Sequence, residues 1–563
     1  MRFRTAALGL LFVACYSSGE GISPPLDRIY FPVGLAIDET KTRLYVASSD
    51  FNLQFNAGTV QALNLERIRE RVLLECENDA DCRDGEYCEL EGEGNHLCTR
   101  NDYPGKPCGP LGEQSLAERV TVPGRCNYVA LSSKGDQKSD ILVDSVATGA
   151  FATDIHLTYR ATRDDSGETT GMESGRLLLP IRGESSLTWI DLNEKGEMEC
   201  GQSGRSQECD DGHRVGTKAD ENTREVTMPT EPYGLAMSDL GDAIVVTHQT
   251  TGKVSLFRQD FDLDAPDAAH DELWRKGPQL EFVQADLPLQ ALAVAAAPSS
   301  KTVLDARKAW IDSRSDVRFS DPYPPGFLVA YRNAARVDLL RYYSDTTSRP
   351  IRPYLQLAGT VGIAANSSGV DSRGIAFDDT ERKACEAECA NLGSEDLKGT
   401  CWEECAEVPL GVYVASRSPS SLLVGETMRD TWATPNRDVP RFYDSVPLPA
   451  GPSRVYVGHV LGQDGQIETR VFVVCFDQRR IAVYDPRRRA IEMFITTGRG
   501  PHAMAFDYEA ADEAKGTKGR ALAYVAHFTD SYVGVVELDR RKIRNYGNIV
   551  LNLGPAIAPR ASK

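Results

Sequence analysis

Between Arg470 and Asp539 the apolar positions come in short bursts. Val471–Cys475, Ile481–Tyr484, Ile491–Thr496 and His502–Phe506 are β-branched or alternating runs, separated by Asp477-Gln478, Asp485-Pro486 and Gly498-Arg499-Gly500. Runs this short, bounded by turn residues, read as strands of a β-meander. The same rhythm recurs upstream. A first unit offers strands at Phe31–Asp38, Arg43–Ser48, Gly58–Leu65 and Arg71–Glu75, and a second at Tyr128–Ser133, Asp140–Val146, Arg176–Ile181 and Ser186–Leu192. A third gives Tyr233–Ser238, Ala243–His248, Lys253–Gln259 and Leu280–Gln284. The fourth shows Ala291–Pro298, Phe327–Arg332 and Val337–Tyr343, and the fifth Gly374–Asp378, Gly411–Arg417 and Ser421–Glu426. A sixth runs from Ser453 to Thr497 and a seventh from His502 to Gly554.

Repeated four-stranded units without intervening helices predict an all-β fold, a β-propeller over residues 31–555 with seven blades, six or eight also fitting the rhythm. A radial array packs each blade only on its neighbours, so 563 residues need not divide into several domains. Two interruptions are read as insertions: a cysteine-rich segment at 76–126, and a segment at 380–408 holding two CxxxC pairs.

Charge narrows the partners. Sixty-three Lys and Arg against 82 Asp and Glu leave a formal charge of −19, which opposes binding to nucleic acid and to anionic lipid. The start of the chain, MRFRTAALGLLFVAC, places Arg2 and Arg4 before an apolar run from Ala6 to Ala14 that is too short to span a bilayer. It resembles a bacterial lipoprotein signal. That resemblance implies a signal peptide at 1–14, lipidation of Cys15, a tether at 15–30, and an exported protein held at the outer membrane, on its periplasmic or surface face.

Thirteen further cysteines group as six (Cys76, Cys82, Cys88, Cys98, Cys108, Cys126), two (Cys200, Cys209), four (Cys385, Cys389, Cys401, Cys405) and one, Cys475. Local even clusters in an exported chain read as disulfides. Pairing within the six stays open, Cys200 and Cys209 close a small loop, and Cys475 within FVVCF reads as a buried inert thiol. On two antiparallel helices, residues four apart share a face, so the rungs Cys385–Cys405 and Cys389–Cys401 are expected. This segment is similar to a twin CxxxC helical hairpin, and the pattern specifies no metal and no cofactor.

The elements PxGLAxD, LYVAS and GTVxxLNL resemble the YVTN-type propeller repeats of exported bacterial proteins, with YVAS at Tyr45 and Tyr413 and YVAH at Tyr524 as the best matches. The repeat occurs in binding proteins, surface proteins and lactonase-like enzymes, so it implies fold and export rather than chemistry.

In each blade the connection into the inner strand and the loop after the second strand emerge on one face. The candidate ligand mouth there comprises Tyr233, Arg373, Arg499 and His502 from entry loops, with His248, Arg417, Asp477 and His527 from loops after second strands. Arginines suit carboxylate or phosphate, and histidines could ligate a metal. The acidic run Asp260–Glu272 lacks the Gly and bidentate Glu of a calcium loop. No GxSxG, HExxH, Walker or Rossmann fingerprint stands in a supporting context. The leading expectation is a lipid-anchored envelope propeller that binds or scaffolds another envelope protein through its insertion face. An envelope enzyme, lactonase-like or metal-dependent, with its site at the mouth is the alternative.

Overall fold

In the computed structural model the chain forms seven sheets of four strands or more. Residues 21–555 are described, apart from 73–75, 77, 83–86, 92–94, 100–127, 132–140, 164–168, 203–206, 260–276, 313–322, 346–351, 364–369, 429–438, 513–515 and 544. Residues 1–14, read above as a signal peptide, Cys15, Cys108, Cys126 and the acidic run Asp260–Glu272 lie outside the described residues.

Blade three shows the plan. Strands Pro232–Met237, Ala243–His248, Val254–Arg258 and Gln279–Gln284 pair antiparallel in chain order from inside to outside. Its second strand, AIVVTH, is buried along its whole length, because neighbouring blades cover both of its faces. Ile244 and Val246 join Leu178 and Trp189 of blade two, whereas Val245 packs with Val329 and Leu340 of blade four. Burial on both faces explains why the middle strands read as continuous apolar runs. Seven such clusters, one between each pair of adjacent blades, complete the ring.

The ring closes between blades seven and one, where Tyr524 and Val533 pack on Leu44 and Val46. A clasp reinforces the joint: Tyr128–Val129 adds a parallel edge strand to Ile549–Leu553 of blade seven, and the Gly554 N–H donates to the Val129 carbonyl at 2.9 Å. This corrects the expected second blade. Of the segment read as Tyr128–Ser133, Tyr128 and Val129 belong to that clasp and residues 132–133 lie outside the described residues, and the segment read as Asp140–Val146 is Leu142–Thr148, the fourth strand of blade one, paired with Gly58–Asn64. Arg71 and Val72 lie in a turn after the short helix α1, Leu65–Arg69, residues 73–75 of the expected fourth strand Arg71–Glu75 lie outside the described residues, and the fourth position of the sheet is held by Leu142–Thr148. The cysteine-rich insertion therefore interrupts blade one instead of separating it from blade two. Blade two is built from His156–Arg163, Thr169–Ile181 and Ser186–Leu192, with short edge pairings to Met198–Glu199 and Arg214–Val215.

All seven inner strands open on the same backbone device. A positive-φ residue marks each opening: Phe31 (43°), Glu231 (57°), Gln290 (63°), Gly451 (82°) and Gly500 (66°) directly precede their strands, Phe151 (63°) stands five positions before His156, and Asp371 (70°) is the second residue of Val370–Asp378. In six blades its carbonyl accepts from the residue that follows the second strand, as in Gln249 N–H to Glu231 (2.8 Å) and Phe528 N–H to Gly500 (2.7 Å). A register shift follows in those blades except the second, and it also occurs in blade five at Ser372/Gly374. Such bulges turn side chains at the start of a strand away from the ladder.

The remaining elements sit on the opposite face. Helix α2, Lys301–Asp312, leaves the turn between the first two strands of blade four and contains Trp310. Helices α3, Thr380–Ala390, and α4, Glu395–Cys405, leave the corresponding turn of blade five. Ser394 caps α4 by accepting from Leu397 N–H at 3.2 Å. Disulfides join Cys385–Cys405 and Cys389–Cys401 as the helical rungs require, and Cys200–Cys209 is also formed. In the blade-one insertion the pairs are Cys76–Cys88 and Cys82–Cys98, and Cys475 is a buried free thiol. The clustered cysteine sulfurs are thus bridged to one another, which leaves no thiolate set for zinc in these groups. Among the described residues no helix is long and apolar enough to cross a membrane.

Candidate functional site

The first residues of all seven inner strands enclose a cavity of about 250 Å³ on the propeller axis. Its wall is mostly small or apolar because the third residue after each corner is Gly34, Gly234, Ala293, Gly374 or Ala503 in five blades. Close approach of the strands demands this. A Cβ on Gly34 would lie 2.6 Å from Ile155 Cγ2 and 2.8 Å from its backbone nitrogen, and one on Gly374 would lie 2.7 Å from Val455 N.

Blades two and six break the rule with charge. Asp154 and Arg454 occupy the equivalent positions, and they meet across the channel, Arg454 Nη1 to Asp154 Oδ2 at 2.8 Å. A second guanidinium nitrogen of Arg454 donates to the Thr153 carbonyl at 2.9 Å. Blades seven and one lie between these partners and present Ala503 and Leu35 to the cavity. Asp154, with Tyr456 and Tyr233 in support, holds the Arg454 pKa above its ordinary value against burial. His156, two residues beyond Asp154, also lines the cavity; burial lowers its pKa despite the pull of Asp154, so its ring is neutral at neutral pH.

Of the eight residues expected at the mouth, the structure brings Tyr233 and Arg373 to this cavity. Both lie in the bulge two residues after the positive-φ corner, Glu231 or Asp371. Arg373 is held by Asp371, Nε to Oδ1 at 2.7 Å and Nη2 to Oδ2 at 3.0 Å. The other six do not line it. Arg417 pairs with Asp477, and Arg499 pairs with Asp530 at 2.6 Å. His248 is fully buried, with Nε2 2.8 Å from Ser255 Oγ and Nδ1 3.1 Å from the Thr230 carbonyl. His527 is buried in a stack on Tyr532, ring centroids 4.1 Å apart, and His502 Nδ1 lies 3.0 Å from the Val33 carbonyl. Burial drives the pKa of His248 down to about 4 and those of His502 and His527 to about 3. These three rings serve blade packing, and they form no shared metal cluster among the described residues.

Arg454, Asp154 and His156 escaped the sequence reading. Their signal was present: PSR at 452–454 and ATD at 152–154 stand where other blades read PVG, PYG and PHA.

The second candidate surface is the helical projection. Lys301 N–H of α2 donates to Glu386 Oε1 of α3 at 2.8 Å, and the Lys301 ammonium lies 4.7 Å from the Trp402 ring centroid on α4. Trp402 Nε1 donates to the Glu386 carbonyl at 3.1 Å, and Arg382 donates to the carbonyls of Val408 and Pro298. The insertions of blades four and five thereby form one body. Its outer surface carries Glu381, Glu388, Glu395, Asp396, Glu403, Glu404 and Glu407, all exposed, whereas Lys383 and Lys398 are paired with Asp379 and Glu395.

No family model and no curated protein matches the chain. Solved structures do. The periplasmic gluconolactonase of Pseudomonas aeruginosa is similar over 84% of this chain and 86% of its own, with 11% identity and a TM-score of 0.39. Hydrazine synthase of Kuenenia stuttgartiensis is similar over 93% of this chain and 99% of its own, with 8% identity and a TM-score of 0.38. Similarity at this level transfers no activity.

Proposed function

We propose that this protein is a lipid-anchored, outer-membrane propeller of the cell envelope that holds another envelope protein on the α2–α3–α4 projection. The observation that carries the reading is the bracing of that projection. Two disulfides and the cross-insertion contacts stiffen a body that adds no strand to any blade. A rigid surface loses little entropy on docking, and an acidic one favours a basic partner through complementary charge. Replacing Ala384–Val408 by a short Gly/Ser turn should abolish partner capture from native membranes yet leave a cooperative thermal transition. Survival of capture in that variant, together with its loss in Arg373→Ala/Arg417→Ala, would move the partner to the entry face.

A second reading, hydrolysis at the channel, is favoured by one observation. A neutral imidazole, His156, shares a cavity with two guanidiniums, Arg373 and Arg454, which is a base beside groups able to stabilise an oxyanion. Turnover of sugar lactones that disappears in His156→Gln, with the fold intact, would establish it. Equal turnover by the variant would eliminate it.

A further inference from the structure

One half of the entry face is aromatic. Phe31 and Phe151 occupy the positive-φ corners of blades one and two, Phe476 and Phe528 follow the second strands of blades six and seven, and Phe51 lies just beyond the second strand of blade one. Their rings form a connected set. Centroids are 5.1 Å apart for Phe31–Phe528, 5.2 Å for Phe51–Phe528, 6.2 Å for Phe51–Phe151 and 6.3 Å for Phe476–Phe528. Phe51 is 51% exposed, and beside it Leu53 is 49% and Ile22 70% exposed. Across the ring the equivalent positions are polar: Glu231, Gln290 and Asp371 at the corners, Gln249 and Arg332 after second strands.

The chain enters the fold on the aromatic half. Asn56 N–H donates to the Ile22 carbonyl at 3.1 Å, in the same loop that carries Phe51 and Leu53. Cys15 stands six positions before Gly21, and six residues reach at most about 20 Å. If Cys15 carries the lipid, as the proposed function holds, this half-face cannot leave the neighbourhood of the headgroups. With a formal charge of −19 the chain gains nothing from anionic lipid, so burial of apolar surface is the available attraction.

We infer that the aromatic half-face seats against the zwitterionic surface of the membrane that holds the anchor, with Phe51, Leu53 and Ile22 at headgroup depth. Aromatic rings favour that layer, and apolar contact there adds to the hold of the lipid anchor. The inference rests on the Cys15 reading and adds an orientation: the helical projection, on the opposite face, then points away from the lipid.

The test uses the full lipidated protein in phosphatidylcholine/phosphatidylethanolamine vesicles doped with a spin-labelled lipid. An environment-sensitive fluorophore is attached through Leu53→Cys, or through Ile543→Cys in the turn between the outer two strands of blade seven, where Ile543 is 79% exposed. Native Cys475 is buried and stays unlabelled. Quenching at position 53 and none at 543, with the signal at 53 lost in Phe51→Ser while the protein still floats with the vesicles, is the expected result. A lipid-bearing Cys15 peptide by mass spectrometry combined with no quenching at 53 overturns the docking and spares the anchor. An unmodified Cys15 overturns the anchor and the docking with it. Doubling of the particle mass with position 53 shielded but unquenched also overturns the docking, by assigning the patch to a second copy.

Discussion

Asp154→Asn leaves a guanidinium charged and unpaired on the propeller axis. The Arg454 and Asp154 side chains are 15% and 20% exposed, closer to a buried than to a surface pair. A surface pair is worth about 0–1 kcal/mol, whereas removing one member of a buried pair costs about 3–5 kcal/mol because the other charge is stranded. At an effective dielectric constant near 20, two charges about 4 Å apart attract by about 4 kcal/mol. Those bounds place each single variant, Asp154→Asn or Arg454→Met, at about 3 kcal/mol of destabilisation. The pair Arg454→Met/Asp154→Leu removes partners of the Thr153 carbonyl, the Ile155 N–H and the Tyr456 hydroxyl but strands no charge, so its cost should fall below the sum of the singles by about 2 kcal/mol or more. Guanidinium chloride unfolding followed by near-ultraviolet circular dichroism measures all three. Single costs that simply add, with coupling under about 0.5 kcal/mol, would refute the pairing across the channel. A second readout separates this electrostatic account from a packing defect: inorganic phosphate should raise the unfolding midpoint of Asp154→Asn more than that of the wild type, since the variant frees the Arg454 Nη1 that Asp154 otherwise engages.

Two pH effects follow from buried groups. Burial holds His248 and His459 near pKa 4 and His502 and His527 near 3, below the unfolded value of 6.5. Their contribution is complete above pH 6.5 and is lost as pH falls toward 4 and 3, at about 1.4 kcal/mol per pH unit for each fully engaged ring. His527→Leu should reduce the acid slope of the unfolding free energy between pH 6 and 4.5, and an unchanged slope contradicts the assignment. Asp50 behaves in the opposite sense. Burial pushes its carboxyl up to about 7, opposed by the N–H groups of Phe55 and Gln54, so the native state binds the extra proton and stability declines as pH rises from about 4 to 7. Asp50→Asn should therefore gain on the wild type in thermal midpoint across that window and hold the gain above it, whereas a constant offset from pH 4 to 8 would show that the carboxyl does not titrate there.

The blades were legible where both faces of a strand are covered. AIVVTH and RLYVAS admit hardly any polar residue, so their apolar runs stand out from the turns. Outer strands lack that constraint: Val439–Pro447 of blade five is largely solvent-facing, and its polar residues hid it. Blade one was misread because its fourth strand returns only after the cysteine-rich insertion, and the inner strand His156–Arg163 alternates Thr, Arg and His in a way that resembles a polar loop. In the mouth, the bulge turns Tyr233 and Arg373 toward the channel. The histidines at the ends of second strands misled because a side chain there can turn into the blade interface: His248 finds Ser255 inside blade three, and His527 stacks on Tyr532 in the cramped space beside Gly498 and Gly534. Cysteine pairing was legible where helices fixed the spacing, as at Cys385–Cys405, and where two cysteines stood alone in one loop, as at Cys200–Cys209. In the blade-one insertion no regular element did so before the strands Tyr87–Glu91 and Asn95–Thr99 were seen.

The two faces differ for a reason built into the corners. On the entry face, each loop after a second strand is pinned in six blades to the residue that opens the inner strand, by a hydrogen bond of 2.7–3.1 Å. A long insertion at either end of that bond would have to break it and release the positive-φ corner that aims the channel residues. Turns between the first and second strands, and between the third and fourth, carry no such constraint. Helix α2, the disulfide hairpin and the cysteine-rich insertion all emerge from those turns. The entry face therefore changes by substitution at fixed positions, Phe31 against Glu231 or Phe528 against Gln249, and stays closely cropped. The opposite face changes by growth. A cropped face divided into an aromatic and a polar half can lie against a flat lipid surface, as no face bearing a helical projection could, and the projection is left free to reach a partner on the other side.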